Sequence, residues 1–208
     1  MFSNSANVKS RMSDLTRPQT GRCVAAVAGR RPDPSDAQEI VFPPESISRV
    51  RTEIRALYIE RRVGMVVSSA AAGADLLALD VAGSLGLRRV IVLPFAIEEF
   101  LRTSVADRPG DWVNLFKQAV SDLAPRGDVR VIGGSSGQAG AAYLAATLEI
   151  IRLAARAARA EHSSPPIGVV IWDGVTRNRG DLTAEFRSLA VEHRFAIVDV
   201  MTKVEHDH

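Results

Sequence analysis

The 208-residue chain has one cysteine, Cys23, so no internal disulfide is available. That fits a reducing cytosol and argues against a disulfide-stapled secreted scaffold. Cys23 opens an apolar run and reads as a small buried hydrophobe, not a nucleophile. No stretch approaches the ~18 apolar residues that a membrane span requires. The opening MFSNSANVKSRMSDLTRPQT has no apolar signal core, and residues 1–20 read as a mobile polar lead-in. An excess of one charge is missing as well. The 26 basic and 24 acidic residues leave a net charge of +2, and the pI near 9.0 reflects no broad basic field. Nucleic acid is therefore not an expected partner.

Several motifs are absent. After the first apolar run comes VAGRRPDP, where a hydride-transfer fold needs G-x-G-x-x-G. The phosphate-loop pattern G-x-x-x-x-G-K-[ST] does not occur, nor does the G-x-S-x-G elbow of serine hydrolases. The four histidines, His162, His193, His206 and His208, have no metal-ligand spacing. His193 falls late in a helical stretch, where a cation offsets the dipole, and the closing HDH reads as a frayed tail. No metal and no cofactor is expected.

What is present is a regular alternation. Short solid apolar runs (RCVAAVAG, GMVVSS, RRVIVLPF, DVRVIGG, PPIGVVIWDG, FAIVDV) alternate with stretches of helical spacing. Between Ser48 and Arg62, for example, Val50, Ile54, Leu57 and Tyr58 recur on one helical face. Strands that are apolar throughout, rather than alternating, have both faces covered. The predicted class is α/β: a single doubly wound, mostly parallel, Rossmann-like sheet with helices on both faces. One domain is expected over residues 21–200, with a tail at 201–208. The Ala-rich stretch 139–160, with Leu144, Leu148, Ile151 and Leu153, suits packing on the sheet; homodimerisation through it is the alternative.

In such sheets ligands bind at the carboxyl ends of the strands. Three connections there are unusual. SSAAAGAD, residues 68–75, puts small side chains between a strand and a helix. Either it lets a ligand reach the backbone, with Ser68 and Ser69 as donors, or Ala and Gly serve close helix–sheet packing. Asp75, in the first helical turn, either complements the dipole, or contacts ribose hydroxyls or orders the loop. GGSSG at 133–137 reads first as a flexible linker. WDGVTRNRGDLTAEF, residues 172–186, follows the fifth strand. Its Arg177 and Arg179 suit phosphate as bidentate donors. Gly180, Thr183 and the helix N-terminus suit an anion. Asp181 or Thr183 as a plain cap is the other reading. Glu185 is expected to face the same crevice.

The ordered set SSAAAGADLLALDVAGSLGLRRVIVLPF, FLRTSV, DWVNLF, GVVIWDG, GDLTAEF and FAIVDV spans Arg22 to Val200. It resembles the SLOG superfamily, the Rossmann-like domains related to DprA and to LOG-type phosphoribohydrolases, and within it a bacterial subgroup found beside signalling and defence effectors. The resemblance implies a pocket built from the loops after the strands. Carried over residue by residue, it takes Gly29 and Arg30, then Ser68, Ser69, Gly73 and Asp75, then Gly174, Gly180 and Thr183. Asp173, where the fifth strand ends, is a further ligand-binding candidate and, with Asp75, the candidate to help a departing base if an N-glycosidic bond is cleaved. LOG-type enzymes carry P-G-G-x-G-T-x-x-E; here Asp181-Leu182 interrupts it, and Glu185 is the matching carboxylate. The function implied is binding or sensing of a nucleotide or nucleotide-derived ligand, ADP-ribose- or NAD-like. The alternative is cleavage of an N-glycosidic bond using Glu185. The expected setting is the cytoplasm, with a nucleotide-type small molecule and a signalling effector protein as partners and no membrane.

Overall fold

The computed structural model describes residues 22–133, 139–160, 165–177 and 180–203. In chain order the elements are β1 (Cys23–Gly29), α1 (Ile47–Glu60), β2 (Val63–Ser68), α2 (Ala74–Ser84), β3 (Arg88–Leu93), α3 (Ile97–Phe100), α4 (Trp112–Leu123), β4 (Val129–Val131), α5 (Ala139–Ala160), β5 (Ile167–Trp172), α6 (Leu182–Glu192) and β6 (Ala196–Met201). A π-helical turn, Leu101–Val105, continues α3. The six strands form one sheet in the order β4-β3-β2-β1-β5-β6, and every pairing is parallel.

The apolar runs explain the layers. Strand side chains alternate between the faces of a sheet. In β1, Ala25 and Val27 enter the core beneath α1, α2 and α4, while Val24 and Ala26 enter the core beneath α5 and α6. β2 divides the same way: Val66 goes to the first core, Met65 and Val67 to the second. One continuous run thus feeds two cores, as the sequence pattern predicts for a sheet covered on both faces. In α1 the buried side chains are Val50, Ile54, Leu57 and Tyr58, the four that the spacing picks out. α5 packs on β1, β2 and β3 and against α6, burying Ala142, Ala146, Ile150 and Ile151 among others. Its alanines bring the helix close to the sheet. Cys23 is buried, and burial raises its thiol pKa.

From β1 the chain adds β2, β3 and β4 outward on one side. It then returns through α5 to place β5 on the other side of β1. The order therefore reverses between β1 and β5, and the carboxyl ends of these two strands flank the crevice such a reversal leaves. No helix among the described residues is long and apolar enough to cross a membrane.

Candidate functional site

A crevice of about 760 Å³ opens at this reversal. Its walls are Gly29, Arg30 and Arg31 after β1, Ser69, Ala71 and Asp75 after β2, Ser104 of the π-helical turn, Tyr143, Ala146, Thr147 and Ile150 of α5, and Arg177, Gly180, Asp181, Leu182 and Thr183 after β5.

The small residues of SSAAAGAD are there mainly because three segments meet at that point. A Cβ on Gly29 would lie 2.3 Å from the Ile171 carbonyl oxygen and 2.5 Å from Ala74 Cβ. Gly73 has φ +92°, and a Cβ there would meet Pro32 at 2.6 Å and the Arg30 carbonyl at 2.9 Å. The Ala72 N–H donates to the Ser104 carbonyl (3.0 Å), and the Ala74 N–H to that of Arg30 (3.2 Å). Ala70, fully buried, takes a left-handed φ of +68°. Ser68, the last residue of β2, donates its hydroxyl to the Val27 carbonyl at 3.0 Å and is fully buried. Its expected place on the crevice is corrected: the hydroxyl ties two strands together. Gly73 likewise lies beneath the surface, against Pro32.

Ser69 and Asp75 do reach the crevice, bonded to each other. Asp75 is 5% exposed. Its Oδ2 accepts from the Ser69 hydroxyl at 2.5 Å and from the Ala71 N–H at 3.3 Å. Its Oδ1 is buried and has no hydrogen-bond partner among the described residues. Burial pushes the carboxyl up to about 6, outweighing the nearby donors Ser69, Ala71 and Ser68 and the charge of Arg31, which act downward. Beyond it the Ser104 and Tyr143 hydroxyls share a 2.7 Å hydrogen bond. Phe95 meets the Tyr143 ring edge-on at 5.3 Å and fixes its orientation. Arg31 is ion-paired to Asp107. Its Nε is buried without a partner, and burial and the neighbouring Arg108 lower its pKa.

The β5–α6 side is fully knitted. Arg30 grips Asp181 with both terminal nitrogens, Nη1 to Oδ1 at 2.6 Å and Nη2 to Oδ2 at 2.9 Å. Its Nε reaches Asp173 at 3.2 Å, and Nη2 also donates to the Val175 carbonyl at 2.6 Å. Arg177 holds Asp173 with a second fork, at 2.9 and 2.7 Å, and reaches Glu39 at 3.1 Å. Asp181 caps α6, accepting from the N–H groups of Thr183 (3.1 Å) and Ala184 (3.2 Å), and from that of Arg177 (2.8 Å). For both aspartates burial acts upward, but hydrogen bonds outweigh it. Those from Arg177 and Arg30 depress Asp173; Arg30 and the backbone N–H groups hold Asp181 at about 2. Arg30 and Arg177 are thus partnered inside the protein. The anion expected at the start of α6, beside Gly180 and Thr183, is the chain's own Asp181. Asp173 sits behind the two arginines with its side chain 1% exposed. Gly174 is exposed and away from the walls. Arg179, and residues 134–137 of GGSSG, lie outside the described residues.

Glu185 is not brought to the crevice. It lines an adjoining groove of about 400 Å³ with Trp172, Arg187 and Ser188, which shares Arg177, Gly180 and Asp181 with the crevice. Thr183 faces the crevice, and two further residues turn an α-helix by about 200°, so Glu185 emerges on the other side. The expectation that it shares the crevice is corrected accordingly.

Arg31, Glu39, Ser104 and the α5 stripe complete the site without having been singled out in the sequence. The signal for the stripe is legible in hindsight: Tyr143, Thr147 and Ile150 recur at i, i+4 and i+7. Among the described residues no group of three or more His, Cys, Asp or Glu is arranged to hold a metal ion.

No protein-family model matches the chain, and no curated protein does. Among solved structures, the X-ray structure of DNA processing protein A (DprA) from Streptococcus pneumoniae aligns over 86% of this chain, at 15% sequence identity and a TM-score of 0.41. The alignment covers 59% of that protein's chain, and the likeness carries nothing over to this site.

Proposed function

We propose that the crevice binds a nucleotide or nucleotide-derived small molecule, and that the protein acts as a binding and sensing domain for it. ADP-ribose- and NAD-like molecules are the class that the sequence resemblance implies. One observation carries the reading: Asp75, at the reversal point of the sheet, lines an open crevice with one buried carboxylate oxygen unpartnered. An unsatisfied buried acceptor costs about 1–3 kcal/mol. A ligand hydroxyl relieves that cost once the small residues covering the oxygen shift to admit it, and a ribose offers two adjacent hydroxyls. The Ala146 and Ile150 wall supplies an apolar face of the kind a heterocyclic base needs. Support for N-glycosidic cleavage through Glu185 is lacking, since that carboxylate lines the other groove.

The test is calorimetry and thermal shift with adenosine, AMP, ADP-ribose and NAD, and with 2′,3′-dideoxyadenosine as the ligand without the diol. Binding that requires the diol and weakens tenfold or more in Asp75→Asn supports the reading. Binding indifferent to both changes, or none with any of these molecules, refutes it.

A further inference from the structure

The β5–α6 loop does more than border the crevice. A helix start with converging N–H groups and an arginine fork is ordinarily a place for an external anion. Here the N–H groups of Arg177, Thr183 and Ala184 and both terminal nitrogens of Arg30 already converge on Asp181. The other cations on the walls are engaged too: Arg177 with Asp173 and Glu39, Arg31 with Asp107. Counting Asp75, the crevice and its immediate support hold five carboxylates. Three arginines line the walls, and Arg108 behind them also pairs with Asp107.

We infer that Asp181 is an internal stand-in for a ligand phosphate, and that it makes the crevice selective for uncharged nucleosides over their 5′-phosphates. This rests on the nucleotide-derived reading above and moves it, within that reading, away from ADP-ribose- and NAD-like molecules, which carry a pyrophosphate, to the ribosyl nucleoside class. Two physical effects act together. A phosphate approaching α6 meets a carboxylate where donors should be, and like charges at that range repel. Displacing Asp181 would break its five hydrogen bonds, most of them charge-assisted and so the stronger kind. Protonation does not vacate the place either, because Arg30 and the backbone N–H groups, outweighing burial, keep this carboxyl near 2. A neutral sugar and base incur neither penalty, and Asp75 remains free to accept from the sugar.

The experiment uses the full chain and two variants. Asp181→Asn removes the charge and keeps an oxygen to cap α6. Asp181→Gly clears the place, and far-UV circular dichroism checks that each variant is folded. Affinities for adenosine, AMP and inorganic pyrophosphate are measured by calorimetry. The wild-type protein is expected to bind adenosine at least as tightly as AMP and to show no saturable pyrophosphate binding. In Asp181→Asn the AMP-to-adenosine ratio is expected to move tenfold or more toward AMP, and at least one variant gains pyrophosphate binding. If wild type prefers AMP by tenfold or more, or if neither variant shifts the ratio or gains pyrophosphate, the inference is overturned while the nucleotide reading stands. If adenosine fails to bind but the variants gain pyrophosphate, the nucleoside reading falls and the stand-in role of Asp181 is upheld.

Discussion

Two aspartates stand at the starts of two helices on the same rim of the sheet, and they are treated in opposite ways. Asp181, at α6, accepts five hydrogen bonds and is held at about 2. Asp75, at α2, has one oxygen satisfied and the other without a partner, and burial lifts it to about 6. The difference separates structure from readiness to bind. A saturated carboxylate organises its own loop and has no capacity left for a ligand. A starved one raises the free energy of the empty site, so that a donor arriving from outside lowers it.

The largest effect on this contrast is expected from removing the saturated member. Asp181→Ala leaves the Arg30 guanidinium, whose side chain is 11% exposed, without its main partner. It also leaves α6 uncapped. Breaking one side of a buried ion pair costs roughly 3–5 kcal/mol. The thermal midpoint should therefore fall by about 6–20 °C for a chain of this size. A fall of under about 3 °C in calorimetry would place Asp181 among ordinary surface charges and dissolve the contrast. Next is Gly29→Ala. A methyl placed 2.3 Å from the Ile171 carbonyl forces β1 away from β5, at a cost of about 3 kcal/mol. Denaturant unfolding reads it, and a near-neutral result would mean the backbone there is looser than the packing implies.

The third prediction has the opposite sign. Asp75 titrates near 6 in the folded chain, against an ordinary value of 3.8. The folded state therefore holds the extra proton between these values, and stability falls as the pH rises from about 4 to about 6, then levels off. Asp181 does the reverse, contributing stability above 3.8 that is lost as the pH falls toward 2. Asp75→Asn should abolish the loss between pH 4 and 6 and leave the protein more stable than wild type at pH 8, by up to about 3 kcal/mol. Parallel pH profiles for wild type and variant would sink this account of Asp75. The smallest effect belongs to Tyr143→Phe. It deletes the 2.7 Å bond to Ser104 and should cost about 1 kcal/mol. It should also weaken ligand binding if that hydroxyl pair contacts the ligand, which the same calorimetric titration reads.

The architecture was largely legible in the sequence because its signals are local. Solid apolar runs announce a sheet with two covered faces, and Val50, Ile54, Leu57 and Tyr58 announce one face of α1. The site was legible only by location. Spacing pointed to the loops after β1, β2 and β5, but not to which side chain of each loop turns inward. Ser68 and Ser69 are neighbours, yet only Ser69 lines the crevice: Ser68 is the last strand residue, tied to Val27, and Ser69 begins the loop, where its hydroxyl meets Asp75. Arg177 read as a phosphate donor and Arg30 as a pocket residue, and both are partnered inside the protein. The partner that neutralises Arg30 lies 151 positions further along the chain, beyond any local pattern. The π-helical turn that brings Ser104 to Tyr143 has no sequence signature to set it apart from the helix it continues.

The strand order also has a consequence in time. β1 is the first strand made, and its two neighbours in the sheet are made at very different moments: β2 begins at Val63 and β5 only at Ile167. During synthesis β1 can pair at once on one edge, while its other edge stays open for about 140 further residues, roughly 7–30 s at common translation rates. Until β5 and the loop beyond it emerge, Arg30 has neither Asp173 nor Asp181 to meet, and the crevice has only one bank. The nascent chain therefore carries an exposed central strand edge for most of its birth. The crevice gains its second bank only when β5 and the start of α6 have been made, with β6 still to come.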